Sequence, residues 1–276
     1  MRGLRRQYPA AYDVLELDGL CADSILYRYL QSGNDADKGF CLQPRFDCPR
    51  TILAASYDKY MQGLSASTRY ALGRKQRKLE RACGKAVTRH LDLVNNPHML
   101  DVLFDLHRKR WDSMKGKQST FSSSYRESFN SRLLQRLEED DGFFSCMSVD
   151  DEPVSILYIF LYKNNAFFYQ NGWNPAFAAY GVGLLNIQQA IEYAIGAGCR
   201  TFDFLRGEEE YKYKFCEDSR QAYAILLFGP GMHGRTAKAI FRIKTWLKGL
   251  LSRYQNIRTL IAVPGIQPCC LQGRLN

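Results

Sequence analysis

Hydrophobic and polar positions follow two periods along this chain, and the change of period outlines its organisation. Asp13 to Leu17 alternates as a short strand, and Ala22 to Gln31 reads as a helix with Asp23 or Ser24 near its start. A turn-rich stretch, SGNDADKG at 32–39, leads to a strand around Phe40 to Arg45, and Pro44 and Pro49 bracket an irregular passage. Helical spacing runs from Tyr57 to Leu64 and from Ser67 to Cys83, with Gly84 as a stop. A strand from Lys85 to Val94 and helices at Pro97 to Ser113 and Tyr125 to Glu139 follow. From Gly142 the period drops to two. Phe143 to Val149, Val154 to Tyr162 and Ala166 to Trp173 read as a three-strand meander with DDEP and KNN turns. A helix from Gly183 to Ile195, a strand from Thr201 to Leu205, a short helix near Glu209 to Phe215 and a strand from Ala222 to Phe228 complete the pattern.

This order predicts an α+β fold, a twisted mixed sheet flanked by helices. At 276 residues, 46% hydrophobic and 24% charged, the chain can bury a substantial core. Apolar runs such as AILLF at 224–228 fall far short of the roughly 20 residues that a membrane span needs. MRGLRRQYPAAYD at the start has basic residues but no apolar segment of the secretory type. Nine cysteines are scattered without a C-x-x-C pair, and adjacent Cys269 and Cys270 have no histidine near them in sequence. Reduced thiols in a cytoplasmic protein, and no metal site, are expected.

Charge changes the picture at one end only. The net charge is +10, yet no acidic residue follows Asp218, while nine basic residues do. The excess therefore belongs to a C-terminal element, 231–276. There Ile240, Ile243, Leu247, Leu250, Leu251 and Tyr254 form an apolar stripe with Arg235, Lys238, Arg242 and Lys248 largely off it. Such a helix either docks on the core or touches an anionic membrane surface. A second basic run, Arg69 to Lys85, is a solvated face or a contact for phosphates.

Candidate chemistry gathers between Asn174 and Tyr213. Tyr180-Gly181-Val182-Gly183 opens a helix, and unpaired N–H groups there, with the helix dipole, suit a phosphate. The strand that follows ends in Asp203, and Arg206, Glu208, Lys212, Tyr211 and Tyr213 come directly after. Alternation puts Thr201, Asp203 and Leu205 on one face, with Arg206 as the expected partner of Asp203. That pair is either a structural tie or part of the chemistry, Asp203 binding or taking a proton while Arg206 or Lys212 holds an anionic group. Tyr211 and Tyr213 follow on a short helix, where one phenol is placed to donate a proton or both pack. His90, His98, His107 and His233 stand in ordinary contexts, and G-x-S-x-G, P-loop and H-E-x-x-H motifs are absent.

The stretch G-x-G, helix, strand and D-F-L-R-G-x-x-x-Y-K resembles the acyltransferase domain of CelD-like proteins. These belong to the GNAT (GCN5-related N-acetyltransferase) superfamily and are related to Fem-type peptidyltransferases. DVLELDGLCADS at 13–24, LSASTRYALGRKQRKLERACG at 64–84 and FDLHRKRW at 104–111 carry the likeness upstream. Two departures stand out: Ala178 lies where the phosphate loop usually carries Gln or Arg, and only about a dozen residues precede the first strand, where the family has a further α/β segment. The resemblance implies a shortened first lobe over 1–94, an acyltransferase lobe over 95–230 and the basic tail. It implies acetyl-CoA or another acyl-CoA as co-substrate, bound at Tyr180 to Gly183. The acceptor would be an amine or hydroxyl of a small molecule or saccharide precursor in polysaccharide biosynthesis, attacked directly. Nucleic acid enters only as charged tRNA, in a Fem-type reading, and a non-catalytic binding module is the third alternative.

Overall fold

The computed structural model describes residues 12–32, 40–114, 119–207, 209–216 and 218–261, the side chains of 248–261 excepted. The first half contains β1 (Val14–Cys21), α1 (Ile25–Gln31), β2 (Phe40–Ile52), α2 (Tyr57–Gly63), α3 (Ala66–Cys83), β3 (Val87–Asp92), α4 (Met99–Asp112) and α5 (Ser124–Leu134). The meander follows as β4 (Gly142–Val149), β5 (Glu152–Tyr162) and β6 (Asn165–Trp173). Then come α6 (Val182–Gly196), β7 (Thr201–Asp203), β8 (Asp218–Phe228) and α7 (Met232–Ile261). Serines start the early helices: the side chains of Ser24, Ser56 and Ser65 accept the amides of Tyr27, Lys59 and Thr68, meeting donors that a helix leaves unpaired.

The strands form one mixed sheet in the order β1-β8-β2-β7-β6-β5-β4-β3. The chain separates into two compact units, one running from Arg45 to Ala222 and the other made of the segments before and after it, so that β2 and β8 each belong partly to both. β2 runs unbroken through Pro44 and Pro49, where the sequence pattern suggested an irregular passage. Proline's fixed φ suits extended chain and its carbonyl still pairs; that of Pro49 accepts the amide of Phe204 at 2.9 Å.

In the larger unit the period-two pattern becomes two buried faces. Phe143, Met147 and Val149 of β4, with Leu157 and Ile159 of β5, pack in one core with Leu185, Ile187 and Ile191 of α6. Phe144, Ile156 and Tyr158 pack in the other with Leu100, Leu103 and Phe104 of α4. Covered on both sides, β4 is buried at every position, which is why its polar residues need partners. Asn186 of α6 serves Ser145 of β4 and Ser155 of β5. Its Oδ1 accepts from Ser145 Oγ at 2.6 Å, and its Nδ2 donates to the Ser145 carbonyl at 2.9 Å and to Ser155 Oγ at 3.1 Å. This fixes α6 in rotation and height against the sheet.

The smaller unit has a core of Leu30, Ile225 and Leu227 with Tyr12, Leu15, Leu20, Phe40 and Leu42 around it. Tyr27 stacks at a tilt on Tyr223, ring centres 4.5 Å apart, and Phe241 of α7 meets Phe228 at 5.8 Å. No helix among the described residues is long and apolar enough to cross a membrane.

Replacing Asn186 by Ala should lower the stability of the protein by about 2–4 kcal/mol, because a cavity opens and two buried serines lose partners. Urea denaturation followed by circular dichroism measures it. A loss below about 0.5 kcal/mol would show that the network does not hold α6.

Candidate functional site

The first half of the site is the N-terminus of α6. A 3₁₀ turn over Pro175–Tyr180 leads to Gly181, whose φ of 68° and ψ of 39° place it in the left-handed region. Glycine adopts that conformation freely, whereas a Cβ would strain it. The amides of Leu184 and Leu185 both reach back to the Gly181 carbonyl, so those of Val182 and Gly183 precede the first intrahelical donor. No side chain among the described residues caps this end. These amides open on a cavity of about 250 Å³ lined also by Lys75, Arg110, Asn171, Trp173 and Tyr211. The Lys75 side chain lies over the turn, since a Cβ on Gly181 would come within 2.7 Å of its Cδ. Burial, and then the charge of Arg74, lowers the Lys75 pKa from its ordinary value. Arg74, Lys75, Arg77, Lys78 and Arg81 of α3 continue outward as a groove of about 650 Å³ against Ala179 and Tyr180.

The second half exists because two parallel strands part. β6 and β7 pair only over Asn165 to Phe167 and Thr201 to Asp203. β6 then continues to Trp173. Past β7 the chain turns away: Phe204 donates to Pro49, Leu205 has a φ of 55°, and its amide donates to Asp203 Oδ1 at 2.8 Å. The opening is a cavity of about 460 Å³ whose walls include Tyr169 and Asn171 from β6 and Leu205 to Gly207 from the other side. Arg110, Asn171 and Tyr211 line this cavity and the one at α6 alike. They form the junction between the two.

Arg110 reaches the junction because α4 lies very close to β6. A Cβ on Gly172 would stand 2.6 Å from the His107 amide nitrogen and 2.8 Å from Leu106 Cβ, so only glycine allows this approach. Arg110 Nη1 donates to Asn171 Oδ1 at 2.6 Å, and its guanidinium lies 5.7 Å from the ring centres of Trp111 and Trp173. Its Nε is buried and meets no acceptor among the described residues. Beside it, burial and the Glu209 charge raise the Tyr211 phenol above its ordinary pKa, against the pull of Arg110. The phenol therefore keeps its proton at neutral pH. His107 is neutral: its Nε2 accepts from Trp111 Nε1 at 3.0 Å and its Nδ1 meets Ser119 Oγ at 2.7 Å. Burial, then the charges of Arg110 and Arg108, push its pKa down to about 4.

The residues marked out in sequence divide between these places. Tyr180, Gly181, Val182 and Gly183 line the α6 end; Arg206, Lys212 and Tyr211 line the second cavity. Glu208 lies outside the described residues. Asp203 does not pair with Arg206. Buried to 3% exposure, it binds Arg220 at 2.8 Å as well as the Leu205 amide, and the Arg206 guanidinium lies 5.0 Å from the Phe46 ring centre. Burial still holds the Asp203 carboxyl above its usual pKa. Because β7 ends at Asp203, Leu205 does not continue its face. The short helix shrinks to a 3₁₀ turn over Lys212–Lys214. Within it Lys212 is nearly buried, bonding the Arg206 and Gly207 carbonyls and Glu209. Tyr213 lines a different cavity, beside Lys59 and Lys214. Sequence reasoning missed Arg110, Asn171 and Trp173, although Arg110 lay inside the quoted FDLHRKRW.

A sheet that parts beside an uncapped helix N-terminus defines the site of an acetyltransferase-type fold. The chain belongs to the acetyltransferase (GNAT) domain family, whose model matches residues 66–213, just over half of it. No curated protein matches it in sequence. Among solved structures it is similar to a conserved protein of unknown function from Bacteroides thetaiotaomicron, with a TM-score of 0.59 and 10% identity over 82% of this chain and 74% of that one. L-PGS from Bacillus licheniformis gives 0.52 and 9% over 83% and 72%, and FemX gives 0.52 and 8% over 78% and 72%. At such identities these likenesses show the fold.

Asp203→Asn keeps an acceptor for the Leu205 amide and loses the charge facing Arg220, whereas Asp203→Ala loses both. Melting temperatures should fall in that order, the alanine variant losing about 3–5 kcal/mol, with part regained on adding Arg220→Met. Calorimetry of the four proteins decides it, and equal melting temperatures would remove Asp203 from this role.

His107 adds a pH dependence. Its folded pKa of about 4 lies below the ordinary 6.5. The neutral form thus stabilises the fold fully above pH 6.5, and this contribution drains away as pH falls toward 4, at up to about 1.4 kcal/mol per pH unit. His90, also pushed down by burial to about 4, adds a like slope. Urea midpoints measured across this range should fall less steeply for His107→Gln than for the unaltered protein; parallel slopes would refute the assignment.

Proposed function

We propose that this protein transfers an acyl group from acyl-CoA, acetyl-CoA first among them, to an amine or hydroxyl of a small molecule or saccharide precursor. The observation that carries the reading is the meeting of two cavities at Arg110, Asn171 and Tyr211, one at the helix N-terminus and one in the parted sheet. The pyrophosphate of the donor would lie on the amides of Val182 and Gly183 with Lys75 beside it, and the basic face of α3 would take its outer phosphate. The acyl carbon then stands at the junction, with the acceptor in the second cavity.

In this reading the acceptor's lone pair forms the new C–N or C–O bond and the C–S bond breaks. Negative charge developing on the carbonyl oxygen is met by Arg110, whose Nε has no other acceptor among the described residues. The protonated Tyr211 gives its proton to the departing thiolate, and Glu209, a wall of the acceptor cavity, takes the proton the acceptor loses. Arg206 and Lys212 border the acceptor and suit an anionic group on it. Asp203 acts through the backbone, by ending β7. The D-F-L-R-G-x-x-x-Y-K motif supports the CelD-like branch, and with it a cytoplasmic role in envelope polysaccharide metabolism.

A Fem-type reading, with aminoacyl-tRNA as donor, is favoured by one observation, the broad basic groove along α3. A ligand that binds only the folded state raises the melting temperature with the logarithm of its excess. Thermal shift with CoA, dephospho-CoA and charged tRNA therefore separates the readings: a rise with CoA is expected, a rise with charged tRNA alone supports the Fem-type donor, and neither supports a binding module. With an acceptor in hand, Arg110→Met should lower turnover by about 10²–10³-fold and Tyr211→Phe by about 10²-fold, both keeping the CoA shift. Full activity in both variants would overturn the proposed roles.

A further inference from the structure

The helix α7 is packed by the side opposite to the one its sequence would bury. Phe241 turns inward to Phe228, and Ala237 and Lys238 beside it are half-buried. One hundred degrees of rotation per residue sets the apolar stripe on the far side. Ile240, Ile243 and Leu247 follow one another at i, i+3 and i+7, with Trp246 next to them, and they are 48, 57, 46 and 64% exposed. In the sequence the same spacing continues through Leu250, Leu251 and Tyr254. Exposed apolar residues scattered singly are ordinary, but a row along one helix face is not.

What covers the row can be read from the charges beside it. Arg235 and Arg242 run along one flank of the stripe and Lys244 along the other, and the helix holds no acidic residue. A second copy of this chain, meeting the stripe across a twofold axis, would set basic flanks against basic flanks with nothing to neutralise them. A lipid surface rich in anionic headgroups supplies the missing charge, its acyl boundary takes the apolar row, and tryptophan suits the interface between them. We propose that α7 is a membrane-surface anchor that lies flat on anionic bilayers, apolar stripe down and basic flanks against the headgroups. The anchor stands independently of the acyl-transfer reading, since none of its residues lines the cavities described above.

The test uses the whole protein, sedimented with vesicles of phosphatidylcholine alone or mixed in equal parts with phosphatidylglycerol. Sedimentation with the mixed vesicles only, weakened by added salt, is expected. Each basic residue near an anionic surface contributes roughly fivefold in partitioning, so the Arg235→Gln, Arg242→Gln, Lys244→Gln triple variant should bind about a hundredfold more weakly. An Ile243→Ser, Trp246→Ser variant should lose binding while keeping its melting temperature, because both side chains are exposed, and should lose the blue shift of tryptophan emission that vesicles cause. Failure to sediment with anionic vesicles at low salt would overturn the proposal, as would equal binding to neutral ones. A concentration-dependent dimer, abolished by the serine pair in a protein that ignores vesicles, would give the stripe to a second copy instead.

Discussion

At the end of β7 the Asp203 carboxylate accepts the Leu205 amide with one oxygen and the Arg220 guanidinium with the other. This contact stops a strand after three residues while its parallel neighbour runs on for six more. Parallel strands pair through evenly spaced hydrogen bonds, so ending one of them leaves the other's polar backbone open along a definite length. The second cavity is that length, with Leu205, Arg206, Gly207, Glu209, Tyr211 and Lys212 on its far side. Lys212 repeats the device on the loop itself, tying two carbonyls and a carboxylate with one nearly buried ammonium. Two buried charges thus shape the cleft, Asp203 from outside its lining and Lys212 from its wall.

The other half of the site depends on how closely helices approach the sheet. Asn186 fixes α6 on β4 and β5, so its amino end arrives at a set height. Gly172 lets α4 approach β6 until Arg110 meets Asn171 and the two tryptophans. Opposite faces of one sheet thereby deliver a helix dipole and a guanidinium to the same point. Neither could reach it without the strands parting.

Much of this was legible in sequence because it rests on period and on glycine. The meander, the helix opened by Gly181 and Gly183 and the terminating Gly84 all appear in the pattern, since burial on both faces and a left-handed turn each demand particular residues. What escaped were choices among long-range partners. Asp203 had a cation three residues on in Arg206, and only the fold shows that β8 carries Arg220 to within 2.8 Å of it. Arg110 sat in a helix with Arg108 and Lys109 as neighbours, and nothing local says which of three cations turns inward. Pro44 and Pro49 argued for a break that the sheet tolerates, since the short β7 asks β2 for few hydrogen bonds. The C-terminal stripe was seen, yet its side was decided by a single ring, Phe241.

Ala178 shows how the fold can supply from afar what a local motif lacks. A polar side chain three residues before Gly181 would reach the helix end from the same loop. Here the loop carries only a methyl group there, and it lies in the 3₁₀ turn that sets up Gly181. Lys75 of α3, more than a hundred residues earlier, lies over the glycine turn and lines the cavity at the helix end. The missing side chain of Gly181 leaves the space that Lys75 fills, and burial, then the charges of Arg74, Lys214 and Lys78, lower its pKa. The basic helix and the glycine turn, two weak signals when read apart, are in the folded chain one site.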